Sequence, residues 1–309
     1  MKVLLIVNAS ASSVSARRQV IIHRMLSEDH DLQMVETNRR GHATKFALDA
    51  ARRGVEAVVV FGGDGTLNEV ANGLVGTDCA LAPLPGGSTN VFARTLGLSD
   101  DPVEATTTTI EALAAQSIQR IGLGSVNGRH FLFHTGVGWD AMLVRQVEKR
   151  SELKRYLGHP LFIWAGLEAW FRLYDRKVPH FRVVFPDGST VENGFFSVIQ
   201  NSNPYTYVGT RPFNLSAEVR LDGPLCAMTL TELDSWSFLR LMFASLRSRD
   251  TLTRSTIVDY RPDVTSMVME MHHPTPYQVD GDDLGDTERL EFHHHPEIMN
   301  LVVPVGFIQ

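Results

Sequence analysis

The sequence Val58-Val59-Val60-Phe61-Gly62-Gly63-Asp64-Gly65-Thr66-Leu67-Asn68-Glu69 decides the fold class. Its first four residues are the apolar run of a buried strand, and Leu67 begins a helical pattern that continues to Leu74. Three glycines within four residues allow a tight turn with outward-facing backbone N–H groups, which attract phosphate beside a helix N-terminus. The alternative is a plain strand-to-helix turn. Asp64, Thr66 and Glu69 favour the phosphate loop, with a magnesium ion or a hydroxyl next to Asp64.

The surrounding residues, 1–120, alternate short apolar runs with helical patterns, which predicts an α/β domain with a parallel sheet that binds ligands at the carboxyl ends of its strands. Val20, Ile21 and Leu26 are predicted on the buried side of the first helix. The predicted strands are Val3 to Val7, Leu32 to Glu36, Ala57 to Phe61 and Cys79 to Leu84, and the first two predicted helices are Ala16 to Leu26 and Ala43 to Arg53.

Residues 121–296 have a different pattern, in which strand-like runs alternate with turn signals such as Asn127-Gly128. This pattern predicts an antiparallel β-sandwich domain with two helices, Leu153 to Tyr174 and Ser235 to Ser248, while the last strand, near residues 297–309, is free to return to the first domain. The predicted strands are Ile121 to Val126, Phe131 to His134, His180 to Phe185, Phe195 to Gln200, Glu218 to Arg220, Ala227 to Glu232 and Ser266 to Met271.

A second glycine turn, Pro85-Gly86-Gly87-Ser88-Thr89-Asn90, follows the fourth predicted strand. Adjacent parallel strands end on the same side of a sheet, so the two glycine loops are expected to form two walls of one cleft. The hydroxyls of Ser88 and Thr89 can donate to phosphate oxygens, and Arg94 can reach one.

Two further motifs contain aspartates that are candidates for the functional site. Gly136-Val137-Gly138-Trp139-Asp140-Ala141 imitates a dinucleotide fingerprint, but no acidic residue ends a second strand about twenty positions later. Asp140 is therefore interpreted as a carboxylate in an interdomain cleft or as a helix cap. Val279-Asp280-Gly281-Asp282-Asp283 is either a cation or base site or a solvated acidic turn.

Taken together, these motifs resemble the bacterial diacylglycerol-kinase-like lipid kinases, relatives of sphingosine kinase. The resemblance covers nearly the whole chain and implies a nucleotide-binding α/β domain, a β-sandwich domain for the lipid, and transfer of the γ-phosphate of ATP to a lipid hydroxyl. The motifs that match in order are Asn8, Thr37, Gly62 to Glu69, Gly87-Ser88-Thr89-Asn90 with Phe92-Ala93-Arg94, Gly136 to Ala141, Asp222-Gly223 and Asp280-Gly281.

The resemblance also implies roles for single residues. Asp222 corresponds to a structural magnesium site, and Asp282 to the general base, with Asp64 and Asp140 as further catalytic candidates. Ala9, Val91 and Asp282 depart from the family pattern, where proline, aspartate and glutamate are usual. The implied contacts to ATP are Asn8, Thr37, Gly62, Gly63, Asp64, Gly65, Thr66, Asn68, Glu69, Gly87, Ser88, Thr89, Asn90 and Arg94.

Composition narrows the functional class. The 309 residues carry 29 Lys and Arg against 35 Asp and Glu, a net charge of −6 that argues against a nucleic-acid partner. Cys79 and Cys226 are predicted to be reduced structural thiols, and the histidine runs 272–273 and 293–295 to be structural. No apolar run is long enough to span a membrane.

The resulting prediction is an ATP- and Mg²⁺-dependent lipid kinase, cytoplasmic and peripheral to the membrane, with a homodimer among the states that the sequence allows. The predicted dock for transient contact with anionic membranes is the helix Ser235 to Ser248, with Arg240, Arg247 and Arg249 meeting headgroups. The alternative is that the aromatic residues of this helix belong to the core. The alternatives are an NAD kinase-like enzyme and a nucleotide-binding regulatory protein with impaired catalysis.

Overall fold

The computed structural model describes residues 1–149, 166, 168–216, 218–234 and 252–308. The chain divides into two compact units. The first unit contains residues Met1–Leu123 and Pro296–Gln309, and the second contains Gly124–His295. The chain enters the second unit within one strand, β5 (Ile118–Val126), and returns to the first within another, β16 (Asp282–Val302).

The first unit is built on a parallel sheet. Strand β1 (Lys2–Val7) pairs with β2 (Asp31–Glu36) on one side and with β3 (Ala57–Gly62) on the other, and β3 pairs with β4 (Ala80–Pro85). The end of β16 pairs in parallel with β4, Asn300 opposite Ala80. Every residue of β3 and β4 is buried, as expected for central strands covered on both faces. The predicted parallel α/β class is confirmed.

Five helices connect these strands: α1 (Ala16–Asp29), α2 (His42–Arg52), α3 (Asp64–Leu74), α4 (Val91–Thr95) and α5 (Pro102–Ala114). Ser15 caps α1 and Asp101 caps α5, by accepting from backbone N–H groups of the first turn. The buried side of α1 carries Ile22 and Leu26, whereas Val20 is 69% exposed. The prediction for Val20 is wrong because two helical positions differ by about 200° around the axis, so Val20 and Ile22 point in nearly opposite directions.

The second unit is rich in antiparallel strands, as predicted. Its central strands run in the order β14–β13–β10–β7–β15–β16, while β8 pairs with β9 and β15, β5 pairs with β6, and β11 and β12 form a separate hairpin. The helix α6 (Trp139–Glu148) and a π-helical turn (Ala169–Leu173) lie among the described residues of this unit. The remaining strands are β6 (Arg129–Phe131), β7 (His134–Val137), β8 (Phe181–Val184), β9 (Thr190–Gly194), β10 (Phe196–Gln200), β11 (Thr206–Val208), β12 (Arg211–Phe213), β13 (Leu225–Leu230), β14 (Val258–Val264) and β15 (Ser266–Val279).

The strand predicted at Glu218 to Arg220 is absent from the structure, and the segment forms a loop instead. The Ser216 hydroxyl accepts from the Glu218 N–H at 3.4 Å, and Gly223 N–H donates to the Arg220 carbonyl in a turn at 3.1 Å. These local hydrogen bonds take the place of the ladder that a strand would need.

The predicted helix Ser235 to Ser248, and with it the membrane dock and its arginines, lies outside the described residues, as does most of the predicted helix Leu153 to Tyr174. Of the helices in the described ranges, none combines the length and apolar character needed to cross a membrane.

Candidate nucleotide-binding site

The first glycine loop joins the buried strand β3 directly to helix α3. Gly63 is the N-cap residue of α3 and has no side chain with which to cap the helix. Gly63, Asp64 and Gly65 are partly exposed, whereas Thr66 and Asn68 are buried. The loop therefore presents the positive end of the helix dipole and its backbone N–H groups at the carboxyl end of the sheet, which is where a phosphate would bind.

Asp64 holds the two glycine loops together. Its carboxylate accepts from the backbone N–H of Val91 at 3.1 Å and from that of Phe92 at 3.3 Å. These N–H groups open helix α4, which follows the second glycine turn. Asp64 thus acts as the cap of α4 from a distance of 27 residues in sequence.

The second glycine turn is shaped by Asn90, which adopts a left-handed conformation with φ of 49°. The Asn90 side chain accepts from Gly87 N–H at 2.7 Å and donates to the Gly87 carbonyl at 3.0 Å. Ser13, from the loop after β1, donates through its hydroxyl to the same carbonyl at 3.1 Å and through its N–H to the Gly86 carbonyl at 2.9 Å. Three loops thus converge on Gly86 and Gly87.

The glycines are required where the loops touch. A Cβ atom on Gly86 would lie 2.7 Å from the Gly62 nitrogen, and one on Gly87 would lie 2.9 Å from the Gly63 Cα atom. A side chain at either position would push the backbones of the two loops apart. The close approach makes one continuous glycine-lined surface out of two turns.

Three predicted nucleotide contacts support this surface from within the unit. Asn8 donates from Nδ2 to the Thr66 hydroxyl at 2.9 Å and so ties the end of β1 to α3. Thr37 N–H donates to the Val7 carbonyl at 2.8 Å, directly after β2. The buried Asn68 accepts from Asn72 Nδ2 through its side chain at 3.3 Å.

Glu69 points to a neighbouring helix. Its two carboxylate oxygens accept from Gly41 N–H at 2.8 Å and Ala43 N–H at 3.1 Å, and its carbonyl accepts from the Thr44 hydroxyl at 2.8 Å. Glu69 therefore caps α2, whose own N-cap residue, Gly41, has no side chain. Its role as an ATP contact remains a prediction.

The other predicted contacts lie at the margin of the second turn. Ser88 is exposed and Thr89 partly exposed, which leaves both hydroxyls accessible to a ligand. Arg94 lies in the last turn of α4, where its Nε is 3.5 Å from a carboxylate oxygen of Asp100. These residues belong to the same loop and helix as Gly87 and Asn90, as predicted, and their contacts to phosphate remain predictions.

In the second unit, the motif around Asp280 is a tight hairpin between β15 and β16. Val279 is opposite Asp282, and the two residues between them, Asp280 and Gly281, have φ values of 48° and 81°, as a type I′ turn requires. The Asp280 carboxylate is buried and accepts from three backbone N–H groups, those of Leu132 at 2.7 Å, Phe133 at 2.9 Å and His134 at 3.1 Å. Asp280 therefore fixes the hairpin that presents Asp282.

The other two carboxylates of this motif have arginine partners. Asp282 lies 3.0 Å from Arg129 and is 23% exposed, so its carboxylate remains accessible beside a cation. Asp283 accepts two hydrogen bonds from Arg145, at 2.7 and 3.0 Å. Three carboxylates that are adjacent in sequence are thus directed to three different partners.

Asp140, the remaining catalytic candidate, is buried in the first turn of α6. It accepts from the Tyr205 hydroxyl and from Gln278 Nε2, the latter at 2.7 Å. A Cβ atom on Gly136 would lie 1.6 Å from its Oδ2 atom, which explains the first glycine of the motif Gly136 to Ala141. Sequence analysis did not find Tyr205 and Gln278, since they lie 65 and 138 residues from Asp140 and no local pattern marks either.

Asp222, the predicted magnesium ligand, is exposed in the turn before β13. Across the described ranges, no group of three or more His, Cys, Asp or Glu side chains is arranged to hold a metal ion. Magnesium is commonly held by one or two carboxylates together with substrate phosphates. The role of Asp222 therefore remains a prediction. Cys79 and Cys226 are free and buried, and burial raises the pKa of Cys79 to about 12.

These features define a class: an α/β domain that offers glycine loops and helix N-termini to a phosphate group. Residues 2–126 match the model of the diacylglycerol kinase catalytic domain family. The chain is 38% identical over 135 residues to a diacylglycerol kinase of Bacillus subtilis, covering 43% of each protein. It is 31% identical over 190 residues to "Probable lipid kinase YegS-like" of Chromohalobacter salexigens, covering 60% of this chain and 57% of that protein.

The fold likeness extends further than the sequence matches, which span about half of these relatives. A structure described as "a putative diacylglycerol kinase from Bacillus anthracis str. Sterne" superposes with a TM-score of 0.78 at 23% identity, over 99% of this chain and 98% of the other. The resemblance predicted from the sequence is confirmed, since residues 2–126 match the model of this family.

Proposed function

We propose that the protein is an ATP-dependent lipid kinase that transfers the γ-phosphate to the hydroxyl of diacylglycerol or a related lipid. One observation carries the proposal: Asp64 joins two glycine loops, at the ends of β3 and β4, into one surface at a helix N-terminus whose N-cap residue is a glycine. The family match over the same residues supports it.

Phosphoryl transfer requires alignment, neutralised charge and a proton acceptor near the attacking hydroxyl. In the first unit, the N–H groups at the start of α3 would bind phosphate oxygens, and the Ser88 and Thr89 hydroxyls would donate to them. In the second unit, the partly exposed Asp282 would accept the proton of the lipid hydroxyl. Magnesium, when bound with the triphosphate, supplies charge neutralisation.

The test is phosphorylation of a lipid panel with γ-labelled ATP, with products separated by thin-layer chromatography. The panel contains diacylglycerol, monoacylglycerol, a sphingoid base and a total lipid extract, and NAD is included as the acceptor of the NAD kinase alternative. A labelled lipid that requires Mg²⁺ supports the proposal. ATP binding without any labelled product would favour the regulatory alternative, and labelled NADP would favour the NAD kinase.

A further inference from the structure

Buried polar side chains share one face of three adjacent strands in the second unit. His134 of β7 is opposite Gln200 of β10, and Gln278 of β15 is opposite Gly136, two residues beyond His134. Because side chains alternate along a strand, His134, Gln200 and Gln278 lie on the same face. Gln200 and Gln278 are completely buried, and His134 is 5% exposed.

Several polar atoms of this group lack partners. Within the described part of the chain, Gln200 Oε1, Ser202 Oγ and His134 Nδ1 accept and donate no hydrogen bond. Ser202 is also completely buried, and its carbonyl accepts from Gln200 Nε2 at 3.3 Å, so the Gln200 side chain contacts the backbone of Ser202. Buried polar groups in native proteins are nearly always satisfied, which points to a missing partner.

The surroundings of these atoms are fixed. The Tyr205 ring packs on the His134 ring, with centroids 4.3 Å apart and planes at 34°. Tyr205 in turn donates to Asp140, whose other oxygen accepts from Gln278. Asn203 and Tyr205, which follow Ser202 in the sequence, are partly exposed.

The hydrogen-bonding capacity of the three unpartnered atoms indicates which kind of ligand group they can bind. Gln200 Oε1 can only accept, whereas a serine hydroxyl can donate or accept. Burial lowers the pKa of His134 to about 4, although Asp140 acts to raise it, so the imidazole is neutral near pH 7. An anionic group would be repelled by the Asp140 carboxylate and the Gln200 carbonyl oxygen. A hydroxyl, which donates and accepts at once, matches the set.

We propose that Gln200, Ser202 and His134 bind a hydroxyl-bearing, non-anionic head group of the acceptor. This inference rests on the proposed function, since it assumes that the phosphorylated substrate presents hydroxyls. It assigns recognition of the head group to the polar face of β10 and β7.

The experiment compares Ser202→Ala and Gln200→Leu with the matched control Ser197→Ala. Ser197 is a buried serine on the same strand, but its hydroxyl lies 2.9 Å from the Met228 carbonyl and 3.0 Å from the Thr229 hydroxyl. Phosphorylation of 1,2-dioctanoylglycerol in mixed micelles gives KM for the acceptor, and thermal unfolding gives stability.

The loss of one hydrogen bond to the acceptor should raise its KM about three- to tenfold in Ser202→Ala and in Gln200→Leu, with KM for ATP unchanged. The unfolding temperature should be unchanged in Ser202→Ala and lower in Gln200→Leu, which also loses the bond to the Ser202 carbonyl. Ser197→Ala should show the opposite pattern, a lower unfolding temperature with an unchanged acceptor KM. An unchanged acceptor KM in both site variants would overturn the proposal and leave ordered water as the occupant.

A second measurement separates this inference from the proposed function. Saturation-transfer NMR with glycerol and dioctanoylglycerol reports binding without turnover. If the native protein phosphorylates no lipid, the proposed function fails, while binding that is lost in Ser202→Ala still supports the site. If the native protein turns lipid over and Ser202→Ala binds it equally well, the site fails alone.

Discussion

At the scale of single residues, four aspartates of the first glycine loop and of the motif around Asp280 divide into two kinds. Asp64 and Asp280 accept from backbone N–H groups and thereby shape a loop and a hairpin. Asp282 and Asp283 instead face arginine side chains. A carboxylate that accepts several backbone N–H bonds is fixed in place, which suits positioning more than proton transfer. We therefore propose Asp282 rather than Asp64 as the base.

Asp64→Asn tests the positioning role. Asparagine keeps one acceptor oxygen and loses the negative charge at the N-terminus of α4. One of the two hydrogen bonds from the backbone N–H groups of Val91 and Phe92 is therefore lost. We expect the Kd for ATP to rise about five- to tenfold, or roughly 1 kcal/mol, and Asp64→Ala to have a larger effect. Isothermal calorimetry measures both. Unchanged ATP affinity combined with lost turnover would assign proton transfer to Asp64 instead.

Asp282→Asn tests the base. The change preserves shape but removes the proton acceptor, so turnover should fall about 10²-fold or more with nearly intact ATP affinity. Arg129→Gln is the matched control, because it removes the ion pair and leaves the carboxylate. We expect a smaller loss there. Full activity of Asp282→Asn beside an inactive Asp64→Asn would refute the assignment.

At the scale of elements, α3 is connected to two other helices through side chains at its start. Asp64 caps α4, and Glu69 caps α2. Glu69→Ala removes both acceptors of the α2 cap and should destabilise the fold by about 1–2 kcal/mol, with Glu69→Gln losing less. Denaturant unfolding measures this. A variant of native stability that no longer binds ATP would instead make Glu69 the nucleotide contact that the resemblance implies.

The approach of the two glycine loops gives a paired prediction. Gly87→Ala would bring a Cβ atom to 2.9 Å from the Gly63 backbone, whereas the same change at Gly63 brings its Cβ to an ordinary 3.5 Å from Gly87. We expect Gly87→Ala to cost about 1–3 kcal/mol of stability and Gly63→Ala much less. Thermal unfolding of the two variants decides the matter, and equal stability would show that the loops can separate freely.

Elements differ in how far the sequence predicts them. The strands β1, β3 and β4 are continuous apolar runs, and the loops that follow β3 and β4 contain consecutive glycines, which indicate tight turns. Both the strands and the loops were therefore predicted. Only the end of the strand β16 was predicted, as the last strand near residues 297–309. Its first part, residues 282–296, was missed because its apolar residues do not alternate regularly. The cap formed by Glu69 joins residues 28 apart, and Gln278 reaches Asp140 from 138 residues away, so no local pattern can indicate either contact.

At the scale of the whole molecule, the tryptophans and the buried histidines are distributed unevenly between the two units. All four tryptophans lie between residues 139 and 236, within the second unit. That unit also contains most of the described histidines whose pKa is lowered by burial, namely His130, His134, His180, His294 and His295, while the first unit contributes His30. Tryptophan fluorescence therefore reports on the unit that is expected to respond to acid.

The direction of that response follows from His134. Its pKa is about 4 in the folded protein and 6.5 as the ordinary value, because burial disfavours the charged form. Between these values the unfolded chain binds more protons, so the free energy of unfolding falls as the pH is lowered from about 6.5 towards 4. The slope is about 1.4 kcal/mol per pH unit for this group, or about 3 kcal/mol across the window.

Acid unfolding of the second unit is the last prediction. Urea unfolding followed by tryptophan fluorescence at pH 7.5, 6, 5 and 4.5 should show stability that is constant above pH 7 and decreases below 6.5. His134→Gln removes one titrating group and should flatten the decrease by about 1 kcal/mol per unit, even if its stability at pH 7.5 is lower. The same pH dependence in the native protein and the variant would mean that His134 takes up no proton on unfolding, and that its burial is shallower than the structure shows.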